Sequence, residues 1–515
     1  MRYRQPQMRP DCVAGALRPD FPAFSKGVMV LGSLVKICMP GLRAALTAIV
    51  AATALAGCAS TIERNGIPTS ALADKARVPG LEGVRYWADE VSNDPVGDIR
   101  RHTPNMPAIG RDNARIKGRP VVESLALSGG GSDGAYGAGV LAGWTERGDR
   151  PEFEVVTGVS AGAIIAPFAF LGSKYDPALK VIWTEYQQSQ VVTAQFLPGL
   201  FGGSALTDTT PLAGLIAKYV DREMLDKISA EYKRGRILMV LTTNLDAQRP
   251  VVWNMGEIAL DPSPEALALF RKVILASAAI PGAFPPVNID VVADGKHYEE
   301  MHVDGGTTRE LFVTPVQAPL KAFDVLYPVP PIRKIYIVKN GKVVPEQEVI
   351  PQTTFKIAAR SIATLIKSQN WSELYRLYRL AVDGGADFNF TSVPDDFNFK
   401  TDLIYDPKYQ IALYERGVEV GKSGVWLKAP PGQTPITVQE MKQAKPTKAQ
   451  ISKLTTPTKT LTEQAAPTPV KPIAEEKRIG SVPKPAAAAN PQAAAETTEP
   501  QVPDYSAWAR SVTTN

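Results

Sequence analysis

Histidine and cysteine are nearly missing from this chain of 515 residues, which holds 3 of each. Cys12, Cys38 and Cys58 all fall at the N-terminal end. The chain beyond them can therefore build neither a disulfide framework nor a cysteine-based metal site. Charge of one sign is missing too. Residues 1–57 hold 7 basic and 2 acidic residues, and the rest of the chain balances 50 against 50, so the net charge of +5 belongs to the N-terminal segment. A neutral body offers no electrostatic footing for nucleic acid. Long apolar runs are scarce as well. Ala44 to Gly57 is an apolar stretch of 14 residues, short of the about 20 needed to cross a hydrocarbon core.

That stretch reads instead as the apolar part of a secretory leader, with Arg43 before it. It ends in Leu55-Ala56-Gly57-Cys58, which resembles the bacterial lipobox, in which the cysteine is lipidated and opens the mature chain. The expectation is a signal peptide over 1–57, a lipid anchor on Cys58, and a start at Met39 that would give a more compact leader. Ala59 after the cysteine resembles lipoproteins sorted to the outer membrane, here facing the periplasm. At the other end, 429–515 is rich in Pro, Ala, Thr, Lys and Gln and poor in aromatics. Such a composition buries too little apolar surface to offset conformational entropy and predicts disorder.

Between these ends, 121–428 reads as one α/β domain, with 58–120 as a polar linker or peripheral arm. Strands are expected at Val121–Leu127, Phe153–Thr157, Arg236–Asn244, Val251–Asn254, Tyr298–Val303 and Arg333–Lys339. Helices are expected at Gly137–Gly143, Ala161–Leu171, Pro264–Ser277 and Thr354–Val382. Gly172 to Lys233 is helical by pattern and a candidate cap. Alternation of this kind predicts a mostly parallel central sheet covered on both faces.

Three glycine-rich elements follow β-rich runs in this domain. Gly158-Val159-Ser160-Ala161-Gly162 joins a strand to a helix, as a nucleophile elbow does: the glycines allow a sharp turn that lifts Ser160 onto a helix N-terminus. Ser128-Gly129-Gly130-Gly131-Ser132-Asp133-Gly134 offers backbone N–H groups to an oxyanion, worth about 3 kcal/mol per donor. Its Gly129-x-Gly131-x-x-Gly134 spacing also fits a dinucleotide loop, but no acid about 20 residues on ends a second strand. The third element is Asp304-Gly305-Gly306. The order serine, acid, histidine of α/β-hydrolases requires a histidine after Asp304, and His102, His297 and His302 all precede it. His302 stays an alternative base. Asp383-Gly384-Gly385 repeats the acid motif, yet it ends a helix, where glycine is the expected terminator. Asp304 ends a strand and is the candidate acid.

Together with Ala276-Ser277-Ala278-Ala279-Ile280-Pro281-Gly282 and Phe284-Pro285-Pro286, these elements resemble the patatin-like phospholipases over about residues 121–310. The resemblance implies a three-layer α/β/α fold and a Ser–Asp dyad acting without histidine, metal or cofactor. Carried over, Ser160 is the nucleophile, Asp304 the base, and Gly130 and Gly131 supply the oxyanion hole. The implied substrate is a lipid or phospholipid acyl ester. Many members carry Lys or Arg where Asp133 stands, which puts a preference for anionic head groups in doubt. Two other readings remain: a catalytically silent envelope lipoprotein that binds lipid or a protein partner, and a nucleotide-binding module.

Overall fold

The computed structural model describes residues 64–90, 93–102, 104, 114–186, 188–191, 193–194, 207–314, 318–401, 403 and 405–436. The expected leader, Cys58 and the expected tail beyond residue 436 lie outside the described residues. In chain order the sheet contains β1 (Arg85–Trp87), β2 (Arg119–Leu127), β3 (Val155–Val159), β4 (Ile237–Asn244), β5 (Arg249–Asn254), β6 (Val287–Ala293), β7 (Lys296–Asp304), β8 (Ile332–Lys339) and β9 (Asp387–Ser392). The helices that matter here are α1 (Gly134–Arg147), α2 (Ala161–Leu171), α3 (Asp176–Thr184), α4 (Thr210–Tyr219), α5 (Arg222–Lys233), α6 (Pro264–Ser277), α7 (Thr354–Gly384) and α8 (Pro407–Ser423).

Strand order is β1-β5-β4-β3-β2-β8-β9. From β4 to β9 all neighbours run parallel. Beyond β4 the sheet turns antiparallel through β5 and β1. β7 also pairs antiparallel with β4 and forms a hairpin with β6. The parallel centre follows from the sequence pattern. β4 is buried at every position, as a strand covered on both faces must be.

Alternation along the strands sends side chains to two different cores. Leu125, Leu127, Val156, Leu238, Val240 and Val338 pack with the layer of α1, α2, α3, α5, α6 and α8. On the other face, Val155, Val159, Ile237, Met239 and Leu241 pack with Phe312, Phe323 and Tyr327. Ala126, Ile335 and Ile337 meet the C-terminal half of α7 through Leu374, Leu377, Tyr378 and Ala381. The result is a three-layer α/β/α arrangement.

The decisive register lies on one edge of β4. β3 pairs with it as far as Val159 opposite Leu241. β7 takes over at the next residue, with Asp304 opposite Thr242. Two strands of opposite direction thus end head to head on a shared edge, which brings the residue after Val159 against Asp304.

Residues 64–88, read from sequence as linker or arm, belong to the domain. β1 extends the sheet, Ala76 and Val84 are buried, and Arg64 pairs with Asp246. Polar composition hid this, because the segment covers a sheet edge through backbone pairing and a few apolar contacts. At the other boundary, Ala429 is buried and the Ile436 N–H donates to the Tyr378 hydroxyl at 2.7 Å. The packed chain therefore extends past residue 428. Among the described residues of 172–233, most lie in helices, including α3, α4 and α5, with a short antiparallel pairing of Thr193–Ala194 with Thr207–Asp208, and α2 runs through Pro167 without ending there.

α1 and α8 touch backbone to backbone. A Cβ on Gly139 would stand 2.1 Å from the Tyr414 carbonyl oxygen, and one on Gly417 would stand 2.4 Å from that of Tyr136. An alanine in a helix normally gains about 1 kcal/mol over glycine. Here Gly139→Ala should lower the thermal midpoint instead, by a free energy of about 1–3 kcal/mol. An unchanged or raised midpoint in a calorimetric scan would show that the helices do not approach this closely.

Candidate active site

Ser160 sits between β3 and α2 with φ 53° and ψ −120°, a left-handed conformation that costs a non-glycine residue about 1–3 kcal/mol. Its flanking glycines are required by close approach. A Cβ on Gly158 would lie 2.4 Å from the Gly162 carbonyl oxygen, and one on Gly162 would lie 2.3 Å from that of Leu127. The strained turn is pinned at both its N–H and its carbonyl. The Ser160 N–H donates to Ser277 Oγ at 2.9 Å, and the Ser160 carbonyl accepts from the Ala163 N–H at 2.8 Å.

The Ser160 hydroxyl donates to Asp304 Oδ2 at 2.6 Å, and both residues are buried. The other carboxylate oxygen accepts the Gly306 N–H at 2.7 Å, which leaves Oδ2 free to face the serine. The Asp304 N–H donates to the Ala279 carbonyl at 2.9 Å, and Ser277 Oγ donates to the Leu241 carbonyl at 2.7 Å. The Ala276–Gly282 segment thus ties serine turn, acid and strand edge together. Ser160, Asp304, Gly158, Gly162, Gly305 and Gly306 all meet here.

Burial pushes the Asp304 carboxyl up to about 7, and the neighbouring Glu310 charge adds to the rise. The serine hydroxyl, the Gly306 N–H and Lys339 pull the other way. Glu310 and Lys339 were not singled out in the sequence. They form a buried ion pair at 3.0 Å. The Glu310 carboxylate lies so near that a Cβ on Gly306 would stand 2.7 Å from it and one on Gly129 3.1 Å. Glu373 of α7 accepts the N–H groups of Glu310 and Leu311, and burial pushes it up to about 7 as well.

The glycine loop lies over the serine: a Cβ on Gly129 would be 3.0 Å from that of Ser160. Gly130 and Gly131 have φ 153° and 56°, and their N–H groups find no internal acceptor among the described residues. Gly134 begins α1, and a Cβ there would overlap the Trp183 ring. Asn340 clamps the loop. Its N–H donates to Ser128 Oγ at 2.9 Å and its Nδ2 to the Ser128 carbonyl at 2.7 Å. Its Oδ1 accepts the Gly137 N–H at 3.0 Å. In sequence Asn340-Gly341 is only a turn signal, and nothing local marks the asparagine as buried. Asp133, also in the loop, accepts the Tyr409 hydroxyl at 2.7 Å and so holds the start of α8 against it.

The other candidates lie apart. His302 is fully buried, bonded through Nδ1 to Thr242 Oγ1 at 2.9 Å and through Nε2 to Glu300 at 3.2 Å. Burial lowers its pKa, and the ring is committed to the β4–β7 packing. Asp383 pairs with Arg379 at the exposed end of α7, where Gly385 supplies the left-handed cap. Among the described residues no group of three or more His, Cys, Asp or Glu could hold a metal ion, and no helix is long and apolar enough to cross a membrane.

Residues 125–316, which carry this geometry, match the family profile described as patatin-like phospholipase, and that stretch is a domain of this family. The match runs from β2 to just past the Asp304 turn. Among solved structures the chain is similar to VipD from Legionella pneumophila, with 11% identity and a TM-score of 0.30, over 59% of this chain and 66% of that one. It is also similar to the ExoU–SpcU complex of Pseudomonas aeruginosa, with 16% identity and a TM-score of 0.24, over 59% of this chain and 51% of that one. The match therefore spans about two thirds and one half of those chains' lengths. No curated protein matches the chain.

The raised Asp304 pKa carries a stability consequence. A carboxyl held at about 7 in the folded state and near 4 in the unfolded one binds more protons when folded. It therefore costs nothing below about pH 4, and its cost grows until about pH 7 is passed. Asp304→Asn should raise the thermal midpoint more at pH 8 than at pH 5. An equal shift at both would mean the carboxyl is not perturbed.

Proposed function

We propose that this protein is a serine-dependent lipid acyl-ester hydrolase in which Ser160 is the nucleophile and Asp304 the base. The observation that carries the reading is the 2.6 Å bond from Ser160 Oγ to an aspartate lifted to about 7. An ordinary carboxylate is too weak a base for a hydroxyl, whereas one poised near neutrality can take and return the proton. Ser160 Oγ bonds to the ester carbonyl carbon as its proton passes to Asp304 Oδ2. The carbonyl oxygen, now an oxyanion, is held by the Gly130 and Gly131 N–H groups and the N-terminus of α2. Collapse of this intermediate breaks the bond to the alcohol, which leaves with the proton from Asp304. A water then gives its proton to Asp304, attacks the acyl-serine and releases the acid, and the proton returns to Oγ. The family match supports ester-linked lipid as the substrate class.

Asn340 is the positioning residue of this scheme, since its three bonds fix the loop that carries the amides. We place the protein in the bacterial envelope, anchored by lipid on Cys58 to the outer membrane and facing the periplasm. The first half of α7 supports work at a lipid surface. It exposes Ile357, Ile362, Leu365 and Trp371 beside Lys356, with no acidic residue from 354 to 372, while Arg360 and Lys367 pair with Glu348 and Glu346 ahead of the helix. Exposed apolar and aromatic side chains on one helix suit the interface of a bilayer.

Ser160→Ala and Asp304→Asn should each lower turnover of acyl esters by about 10³-fold or more, with the double variant little worse than either, because the two act as a unit. A fluorophosphonate probe should label the wild type at Ser160, and kcat should rise with pH through about 7 as Asp304 loses its proton. A wild type that neither labels nor turns over any acyl ester would leave a silent lipid-binding lipoprotein. Asn340→Ala should cut kcat by about 10²-fold, one amide's worth of oxyanion stabilisation, with KM little changed. A change in KM alone would remove the asparagine from loop positioning.

A further inference from the structure

A second carboxylate stands against the dyad. A Cβ on Gly306 would lie 2.7 Å from Glu310 Oε1 and 3.1 Å from Asp304 Oδ1, so two carboxyl groups crowd one point. A Cβ on Gly129 would lie 3.0 Å from the Ser160 Cβ and 3.1 Å from Glu310 Oε2. Glu310 thus fills the space between the glycine loop and the acid turn, and glycine at 129 and 306 leaves room for it. Its own bonds hold it there. Lys339 Nζ donates to Glu310 Oε2 at 3.0 Å, and the Glu310 N–H donates to Glu373 Oε2 at 2.8 Å. The side chain is fixed at its head by β8 and at its backbone by α7.

Both members of this ion pair are buried. A buried ion pair often stabilises a fold no better than an apolar pair of the same volume, so stability alone does not call for it. The position of the pair does. A negative charge here disfavours a second one on Asp304, and so strengthens the hold of that carboxyl on a proton taken from Ser160. Few other charges face Asp304. Lys339 acts in the opposite direction to Glu310 and less strongly. Tyr405, ahead of α8, feels the Asp304 charge. Glu373 of α7 bonds the Glu310 backbone, with Arg376 and Arg309 as its charged neighbours. Asp133 of the glycine loop feels Lys339 and bonds Tyr409. His302 of β7 is taken by Thr242 and Glu300. α2, β4 and the 276–282 segment carry no titratable side chain.

We propose that Glu310 is a positioning residue of the reaction: held by Lys339 between the glycine loop and the acid turn, its charge makes Asp304 a strong enough base to activate Ser160. The proposal rests on the chemistry assigned above to Ser160 and Asp304. In a site withdrawn from water such an interaction is little screened by salt.

The test is the pH dependence of Ser160 labelling by a fluorophosphonate, measured on the full chain, because it reads activation of the serine without a choice of lipid. In the wild type the labelling rate should rise through about pH 7. Glu310→Gln keeps the shape of the side chain and removes its charge. It should move that midpoint down by about one pH unit and lower the plateau above it, since the base is then weaker. Glu310→Asp keeps the charge, and its midpoint should stay nearer to the wild type than to Glu310→Gln. A purely structural Glu310 would lower the rate in both variants and leave the midpoint in place, a result that overturns the proposal. Removing one partner of a buried pair is costly, so Glu310→Gln is also combined with Lys339→Met, which removes both charges at similar volume. The midpoint of the double variant should again lie below the wild type. If neither single variant folds, an unmoved or raised midpoint in the double variant overturns the proposal. A wild type that labels at no pH, or an Asp304→Asn protein that labels with the wild-type profile, removes the dyad and the proposal with it. A profile that depends on Asp304 but does not move in Glu310→Gln removes the role of Glu310 and keeps the dyad.

Discussion

The shared edge of β4 is the constraint on which the site depends. β3 uses that edge up to Leu241 and β7 uses it from Thr242. Because β7 runs against β3, the two C-terminal ends collide, and the residues just past the collision are a serine turn and an acid. Neither side chain has to search for the other. The Leu241 carbonyl at the junction is taken by Ser277, which in turn receives the Ser160 N–H. A slip of one residue in the β4–β7 register would turn Asp304 to the opposite face, so fold and chemistry share one specification.

Around that junction the protein buries an unusual amount of charge. Asp304, Glu310, Lys339 and Glu373 are all largely withdrawn from water. Burial raises two of the carboxyls, Asp304 and Glu373, to about 7, and the Glu310 charge beside each adds to the rise. Taking a carboxylate out of water favours its protonated form, and a like charge nearby acts in the same direction. The cost in stability leaves Ser160 bonded to a carboxyl whose proton affinity lies near neutrality. The positive charge at the glycine loop comes from Lys339 on β8 rather than from position 133, where an acid is bonded to Tyr409 instead.

Several supporting residues lie beyond the segment that matches the family profile. Asn340, Lys339, Glu373 and Tyr409 come from β8, α7 and α8, after residue 316. The matched stretch holds Ser160 and Asp304, and the later elements shape the glycine loop and place Lys339 and Glu373 beside the acid. The close glycine contacts between α1 and α8 make this possible by letting α8 reach the loop.

Local pattern was enough for part of this. Glycine at 158 and 162 marks a strand-to-helix elbow because no other residue fits so close a backbone approach, and the order of histidines excludes a late histidine base by position alone. The parallel centre of the sheet was legible in fully apolar strands. Long-range pairing was not. Residues 64–88 look like an arm because edge strands are polar on their open side, and Asn340 looks like a turn because burial of an amide leaves no local trace. The sequence by itself determined which residue types could do chemistry and where the backbone must turn. Only the tertiary structure decided that Asp304, and neither Asp383 nor His302, meets Ser160, because that choice depends on strand register and burial, which are properties of contacts far apart in the chain.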